Sequence, residues 1–147
     1  MGMDPAFVGR TFPPTQAYLV GVEKIREFAA AIGDDSGACH DRSAAIAAGY
    51  HDLVAPATFA IVVSARAQEA VIFDPELGLD FSRVVHGDQR FVHHRPIVAG
   101  DELTSVVHID SIRVLAGNDV IGLRTEISGA TGEPVCTAHS TLVSRAP

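Results

Sequence analysis

Three hydrophobic rhythms divide the chain. From Gly21 to Ile32 the apolar residues Val22, Ile25, Phe28, Ala29 and Ile32 recur every three or four positions, with Glu23, Lys24, Arg26 and Glu27 between them. That spacing lays one apolar stripe along an amphipathic helix, and Gly33 is placed to end it. A shorter helix is expected over Asp41 to Ala48, capped by Asp41 or Ser43 and stopped by Gly49. From Thr58 to Val71 the residues are apolar almost all round for two turns, following Pro56, a residue suited to a first helical position. The β-branched Ile61, Val62 and Val63 favour a strand there, but the length and the alanines decide for a helix. A helix apolar on most faces belongs at the centre of a fold.

After Pro75 the period falls to two. Ser82 to His94 reads as a long strand, and Leu103 to Val114 as another with Leu103, Ser105, Val107 and Ile109 on one face. The turn signal Ala116-Gly117-Asn118-Asp119 leads to alternation over Val120 to Ser128. A second turn, Gly129-Ala130-Thr131-Gly132, leads to a last strand from Val135 to Val143. An early strand near Ala17 to Val20 would complete the sheet, entered through the rigid Phe12-Pro13-Pro14-Thr15 segment. One apolar helix among shorter helices and four long strands predicts an α+β fold, a curved antiparallel β-sheet wrapped around a central hydrophobic α-helix. All 147 residues are expected to form a single domain, with residues 1–7 as a flexible lead.

Charge and composition narrow the function classes. A net charge of −7 and a pI near 5.3 argue against nucleic acid as a partner, and no Lys/Arg run suits an anionic membrane. The apolar stretch from Val54 to Phe73 is broken by Ser64, Arg66, Gln68 and Glu69, too polar to span a bilayer. No secretory leader is read at the N-terminus. Cys39 and Cys136 stand far apart, outside any metal-binding spacing. A reduced, cytoplasmic setting with neither metal nor cofactor is expected. His93, His94, His108 and His139 sit in strands without ligand spacing.

The segment Gly33-Asp34-Asp35-Ser36-Gly37-Ala38-Cys39-His40 carries most of the chemistry. It resembles the signature of the MaoC-like, R-specific enoyl-thioester hydratases, a Gly-Asp-x-Asn-Pro-x-His run holding both catalytic side chains. Aligned without a gap, Asp34 falls on the aspartate and Cys39 on the histidine, while His40 comes one residue late. Ser36 and Gly37 replace the asparagine and proline. Ala55-Pro56-Ala57-Thr58 is similar to the family's Ala-His-Gly-Met run, and Arg95-Pro96-Ile97-Val98-Ala99-Gly100-Asp101-Glu102-Leu103 to its Pro-Val-x-x-Gly-Asp-x-Leu turn. With Tyr18-Leu19-Val20-Gly21, Glu23 to Ala29 and Val84 to Phe91, the likeness narrows to the FAS1-like dehydratase-domain subgroup and covers nearly the whole chain.

That resemblance implies a hotdog fold and a 3-hydroxyacyl or trans-2-enoyl thioester substrate on CoA or ACP. It places proton chemistry on Asp34, with Cys39 or a displaced His40 in the histidine's role. It places the oxyanion contact and acyl groove at Ala57, Thr58, Phe59 and Val63, with Ala67 beyond. A thiol is a poor proton shuttle near neutrality. The chain therefore resembles the substrate-binding subunits of (3R)-hydroxyacyl-ACP dehydratases, weakly active alone. A homodimer is expected, or a heterodimer with a catalytic MaoC-like hotdog subunit.

Each residue also has a structural reading. Asp34 reads equally as a loop carboxylate at a helix end, and Cys39 as a small packing residue. His86 and Asp88, two apart on a strand, form a reserve acid–base pair unless Gly87 marks a bulge. The other functions weighed are a hotdog acyl-CoA thioesterase and a non-enzymatic acyl-thioester binder. Against the thioesterase, no acidic residue lies between Ala55 and Arg66.

Overall fold

Glycines and a short polar side chain set the ends of the first two helices, as the sequence pattern requires. The computed structural model describes residues 2–147. The first stripe forms α1 (Val22–Ala31), which turns Ile25 and Ala29 into the core, and Gly33 leaves it with φ of 73°. Only glycine takes that left-handed conformation without a Cβ penalty. Asp41 caps α2 (Arg42–Ala47) by accepting the Ser43 N–H. A tight turn over Ala57–Phe59 then feeds α3 (Ala60–Ile72).

The strands are β1 (Tyr18–Leu19), β2 (Val84–His93), β3 (Glu102–Leu115), β4 (Asn118–Ser128) and β5 (Pro134–Ser144). They form one antiparallel sheet in the order β1-β3-β4-β5-β2. The sheet curls, and α3 packs against β3, β4 and β5 on its concave face, which is the hotdog arrangement. The alternation seen in the sequence is the reason. Leu103, Ser105, Val107 and Ile109 of β3, and Ile121, Leu123, Thr125 and Ile127 of β4, all point inward and are buried. Among the described residues β2 pairs with β5 alone, so its other edge is unpaired.

Two apolar clusters share the interior. One gathers Phe59, Ala60 and Val63 with Ile25, Leu53 and Leu103; the other gathers Ala67 and Val71 with Ile109, Leu123 and Leu142. Each fully buried Leu, Ile or Phe side chain contributes roughly 1.5–3 kcal/mol of transfer free energy.

Two expectations change. Residues 3–7 are not a flexible lead. Met3 and Phe7 are buried in the second cluster, Asp4 caps the Pro5–Phe7 turn, and the Arg10 guanidinium lies 3.7 Å above the Phe7 ring. Met1 lies outside the described residues. Nor is α3 enclosed on every side: Ala60, Val63, Ser64, Ala67, Gln68 and Val71 are buried, while Ala65, Arg66, Glu69 and Ala70 are exposed. The buried Gln68 is satisfied from the sheet, donating to Thr125 Oγ1 at 3.3 Å and to Ser140 Oγ at 3.0 Å.

Candidate functional site

The loop between α1 and α2 is shaped by its own short polar side chains. Asp34 N–H closes α1 by donating to Ala29 O at 2.8 Å. Asp34 Oδ1 then accepts the Ser36 N–H at 3.0 Å, which turns the chain into the single turn Gly37–Cys39. That turn drops Cys39 into the core, 5% exposed. Ser36 Oγ donates to Cys39 Sγ at 3.2 Å, and the sulfur stands 3.9 Å from Asp34 Oδ2.

The carboxylate and the thiol are therefore neighbours with opposite tendencies. The Ser36 N–H and hydroxyl hold the Asp34 carboxyl below the usual carboxylate range. Burial, reinforced by the Asp34 charge, pushes the Cys39 thiol up. Near neutrality the pair is a carboxylate beside a protonated, enclosed thiol.

His40 does not take the missing imidazole's place. Its Nε2–H donates to the Asp34 backbone carbonyl at 2.7 Å, and its own carbonyl accepts from Arg26 Nε at 3.0 Å. The ring braces the loop through its backbone, and among the described residues it makes no hydrogen bond to the Asp34 carboxylate.

This loop is tied to the start of α3. Val54 N–H donates to Ala38 O at 3.0 Å, and Ala55 N–H donates to Ile97 O at 2.8 Å. The Val54–Pro56 segment is thus held between the Asp34 loop and the chain that leaves β2. Pro56 has no N–H, and among the described residues the N–H groups of Ala57 and Thr58 have no partner. Both residues are exposed, at the positive end of the helix. Beside them opens a cleft of about 450 Å³, lined by Val54 to Ala57 on one side and by His93 to Ile97 on the other. Arg95 stiffens the second wall. It bonds both Asp101 oxygens, at 2.8 and 3.1 Å, and Glu133 at 3.1 Å. The Thr131 hydroxyl, Glu133's own backbone N–H and Arg95 together pull the Glu133 carboxyl down to about 2.

Only part of the expected groove is open. Phe59 is 0% exposed, edge-on to Phe28 with centroids 5.5 Å apart, and Val63 and Ala67 are buried as well. Phe59 is packed in the core, whereas Val63 and Ala67, though buried, line a hollow of about 320 Å³ together with Tyr18, Arg66 and Ser105. The other flank of α3 carries a further, more apolar depression. One hollow of about 390 Å³ is lined by Thr58, Ile61, His86, Gln89 and Phe91. A second, of about 450 Å³, shares Ile61 and His86 and continues past Ala65 to Phe73 and Phe81. This further depression was hidden in the sequence because Phe59 and Ile61 are equally apolar.

His86 and Asp88 are not an acid–base pair. The register between β2 and β5 shifts between them, and His86 Nε2 lies 3.1 Å from the Asp88 carbonyl and 3.0 Å from Gln89 Oε1. Gln89 Oε1 also accepts from Ser140 Oγ at 2.7 Å, linking this residue to the buried Gln68. Sequence reasoning passed over His93, weighed only as a metal ligand. Its Nε2–H donates to Ala57 O at 2.8 Å, across the mouth of the cleft. No local signal marks that contact, since it joins the end of a strand to the start of a helix. Among the described residues, no cluster of His, Cys, Asp and Glu could hold a metal ion, and no helix is long and apolar enough to cross a membrane.

Comparison with known proteins adds a family and a fold. Residues 6–138 match the family model described as the FAS1-like, dehydratase domain region. A UPF0336 protein of Saccharopolyspora erythraea is 59% identical over 145 residues, covering 99% of this chain and 93% of that one. Among solved structures, a chain of the C-terminally truncated HadBC (3R-hydroxyacyl-ACP dehydratase) complex from Mycobacterium tuberculosis superposes with a TM-score of 0.85 at 34% identity. The match covers 93% of this chain and 96% of that one. A MaoC-like dehydratase gives a TM-score of 0.86 at 36% identity, over 95% of this chain and 42% of the longer one.

Proposed function

Because the chain belongs to the FAS1-like dehydratase-domain family, we propose that it is a hydratase/dehydratase-family subunit that holds a 3-hydroxyacyl or trans-2-enoyl thioester and turns it over weakly by itself. The observation that carries this reading is the buried thiol of Cys39 beside Asp34, where the family signature has histidine.

Addition of water across an enoyl thioester needs a base for the water, an acid for the α-carbon and donors for the enolate oxygen. The last requirement is met by the free N–H groups of Ala57 and Thr58 at the start of α3. Asp34 is ionised and suited to orient a water, though its lowered pKa makes it a weak base. The proton relay is what is missing. A buried thiol held protonated neither takes nor gives a proton readily near neutrality. Substrate binding is thus retained while acid–base catalysis is not, and that step is typically worth 10²–10⁴-fold.

The acyl chain has a matching apolar path, from Thr58 past Ile61 and Ala65 to Phe73. The unpaired edge of β2 suits a second hotdog, either another copy or a catalytic sister subunit. The HadBC likeness supports the sister, because that protein is a two-component dehydratase complex. The acid needed for thioester hydrolysis is not found on the first two turns of α3, where Glu69 is the earliest carboxylate.

Crotonyl-CoA hydration by the purified chain tests the proposal. Alone it is expected to be slow, with the rate rising on addition of a MaoC-like partner or in Cys39→His. Rapid hydration by the unmodified chain, abolished by Asp34→Asn, overturns it.

A further inference from the structure

We propose that His93 is a positioning residue of the thioester site, acting through the peptide bond between Ala57 and Thr58; this rests on the reading of that site given above. His93 is the last residue of β2, and its Nε2 lies 2.8 Å from Ala57 O. A carbonyl only accepts, so this ring nitrogen carries the proton in either charge state of the ring.

The peptide unit is planar and trans, with its C=O and N–H pointing in opposite directions. Holding Ala57 O therefore aims the Thr58 N–H the other way, out of the start of α3, where it is free. Donation to the carbonyl also polarises the amide and makes its N–H a stronger donor.

The turn has need of this support. No side chain caps the Ala57–Phe59 turn or α3 itself, and Pro56 contributes no N–H. An uncapped helix start frays easily and points its donors loosely. Here the fold supplies the missing fixture from the sheet. The ring of His93 is steadied in turn by Phe91, with centroids 6.1 Å apart, and Phe91 packs on the first core cluster. His93 and Ala57 line the same cleft, so the contact stands at the edge of the thioester position.

The test reads the polarisation itself. Crotonyl-CoA labelled with ¹³C at the thioester carbonyl is bound to the full chain, and the carbonyl stretch is followed by difference infrared spectroscopy. Binding to the unmodified chain is expected to lower the frequency. His93→Ala should lose about 10–30% of that shift, the amount by which one hydrogen bond strengthens its neighbour. His93→Gln, which keeps an N–H donor, should recover it. Thermal melting of both variants, expected to match that of the unmodified chain, shows that the fold is intact. A full shift retained in His93→Ala, or no recovery in His93→Gln, overturns the role of His93 alone. No shift with the unmodified chain removes the thioester site, and the role of His93 with it.

Discussion

The two flanks of α3 use similar residues for different ends. On one, Phe59, Val63, Ala67 and Val71 meet the sheet and α1 and are almost wholly buried. On the other, Ile61 is half-buried, Ala65 is exposed, and Phe73 and Phe81 are more than half exposed. The first flank holds the fold together. The second is apolar surface that the single chain leaves open, contiguous with the free N–H groups at the helix start. An apolar side chain thus reports stability or binding according to the flank it occupies, and its chemistry alone does not say which.

The sharpest way to break this comparison is to truncate one residue on each flank. Phe59→Ala empties a fully packed position and is expected to cost about 3–5 kcal/mol in urea unfolding. Ile61→Ala should cost roughly 1 kcal/mol, in the range of partly exposed sites, yet weaken binding of long acyl thioesters more than of crotonyl-CoA. Equal losses of stability at the two positions would show that the flanks are not distinct.

Gln68 tests the buried flank from its polar side. Its amide satisfies the hydroxyls of Thr125 and Ser140, both buried. Gln68→Ala is expected to lower stability by about 1–3 kcal/mol, because the Thr125 hydroxyl then lacks its partner away from water and Ser140 keeps only its bond to Gln89. A stability equal to that of the unmodified chain in the same urea titration would mean that they find other partners.

Two effects of pH run in opposite directions. Cys136 is buried in the core, and burial pushes its thiol up to about 11 from 9.0. Its contribution is complete below pH 9 and is lost as pH rises through 11. Glu133 is held down at about 2 from 4.5, so its contribution is present above pH 4.5 and fades as pH falls towards 2. Because that carboxylate is solvated, its effect is slight. Melting curves across pH should show the alkaline loss removed in Cys136→Ala and a small acid loss removed in Glu133→Gln. An alkaline loss that persists in Cys136→Ala would assign it to another group.

Much of this molecule was legible before any coordinates. The strand alternation, the stripe of α1, the Asp41 cap and the glycines that end helices depend on neighbours a few residues away. They appear within a residue or two of where the pattern puts them. Asp34 and Cys39 also lie together as the signature suggests, since a short loop carries both. Other features resisted reading. Met3 and Phe7 looked like a loose lead because nothing local shows that β3 and β4 leave an apolar space for them. The bulge at Gly87 turned His86 from Asp88's carboxylate to its carbonyl.

What the sequence determined is the hotdog architecture and the altered signature, a carboxylate with cysteine in place of imidazole. The alternating strands and the apolar helix rest on local periodicity, and the hotdog name and the altered signature rest on the resemblance of short contiguous segments to a known family. Only the tertiary structure decided which side of α3 faces solvent, that His40 braces a loop, and that His93 reaches Ala57. The burial of α3 and the His93 contact join segments far apart in the chain, and their geometry follows from how the sheet curls around the helix.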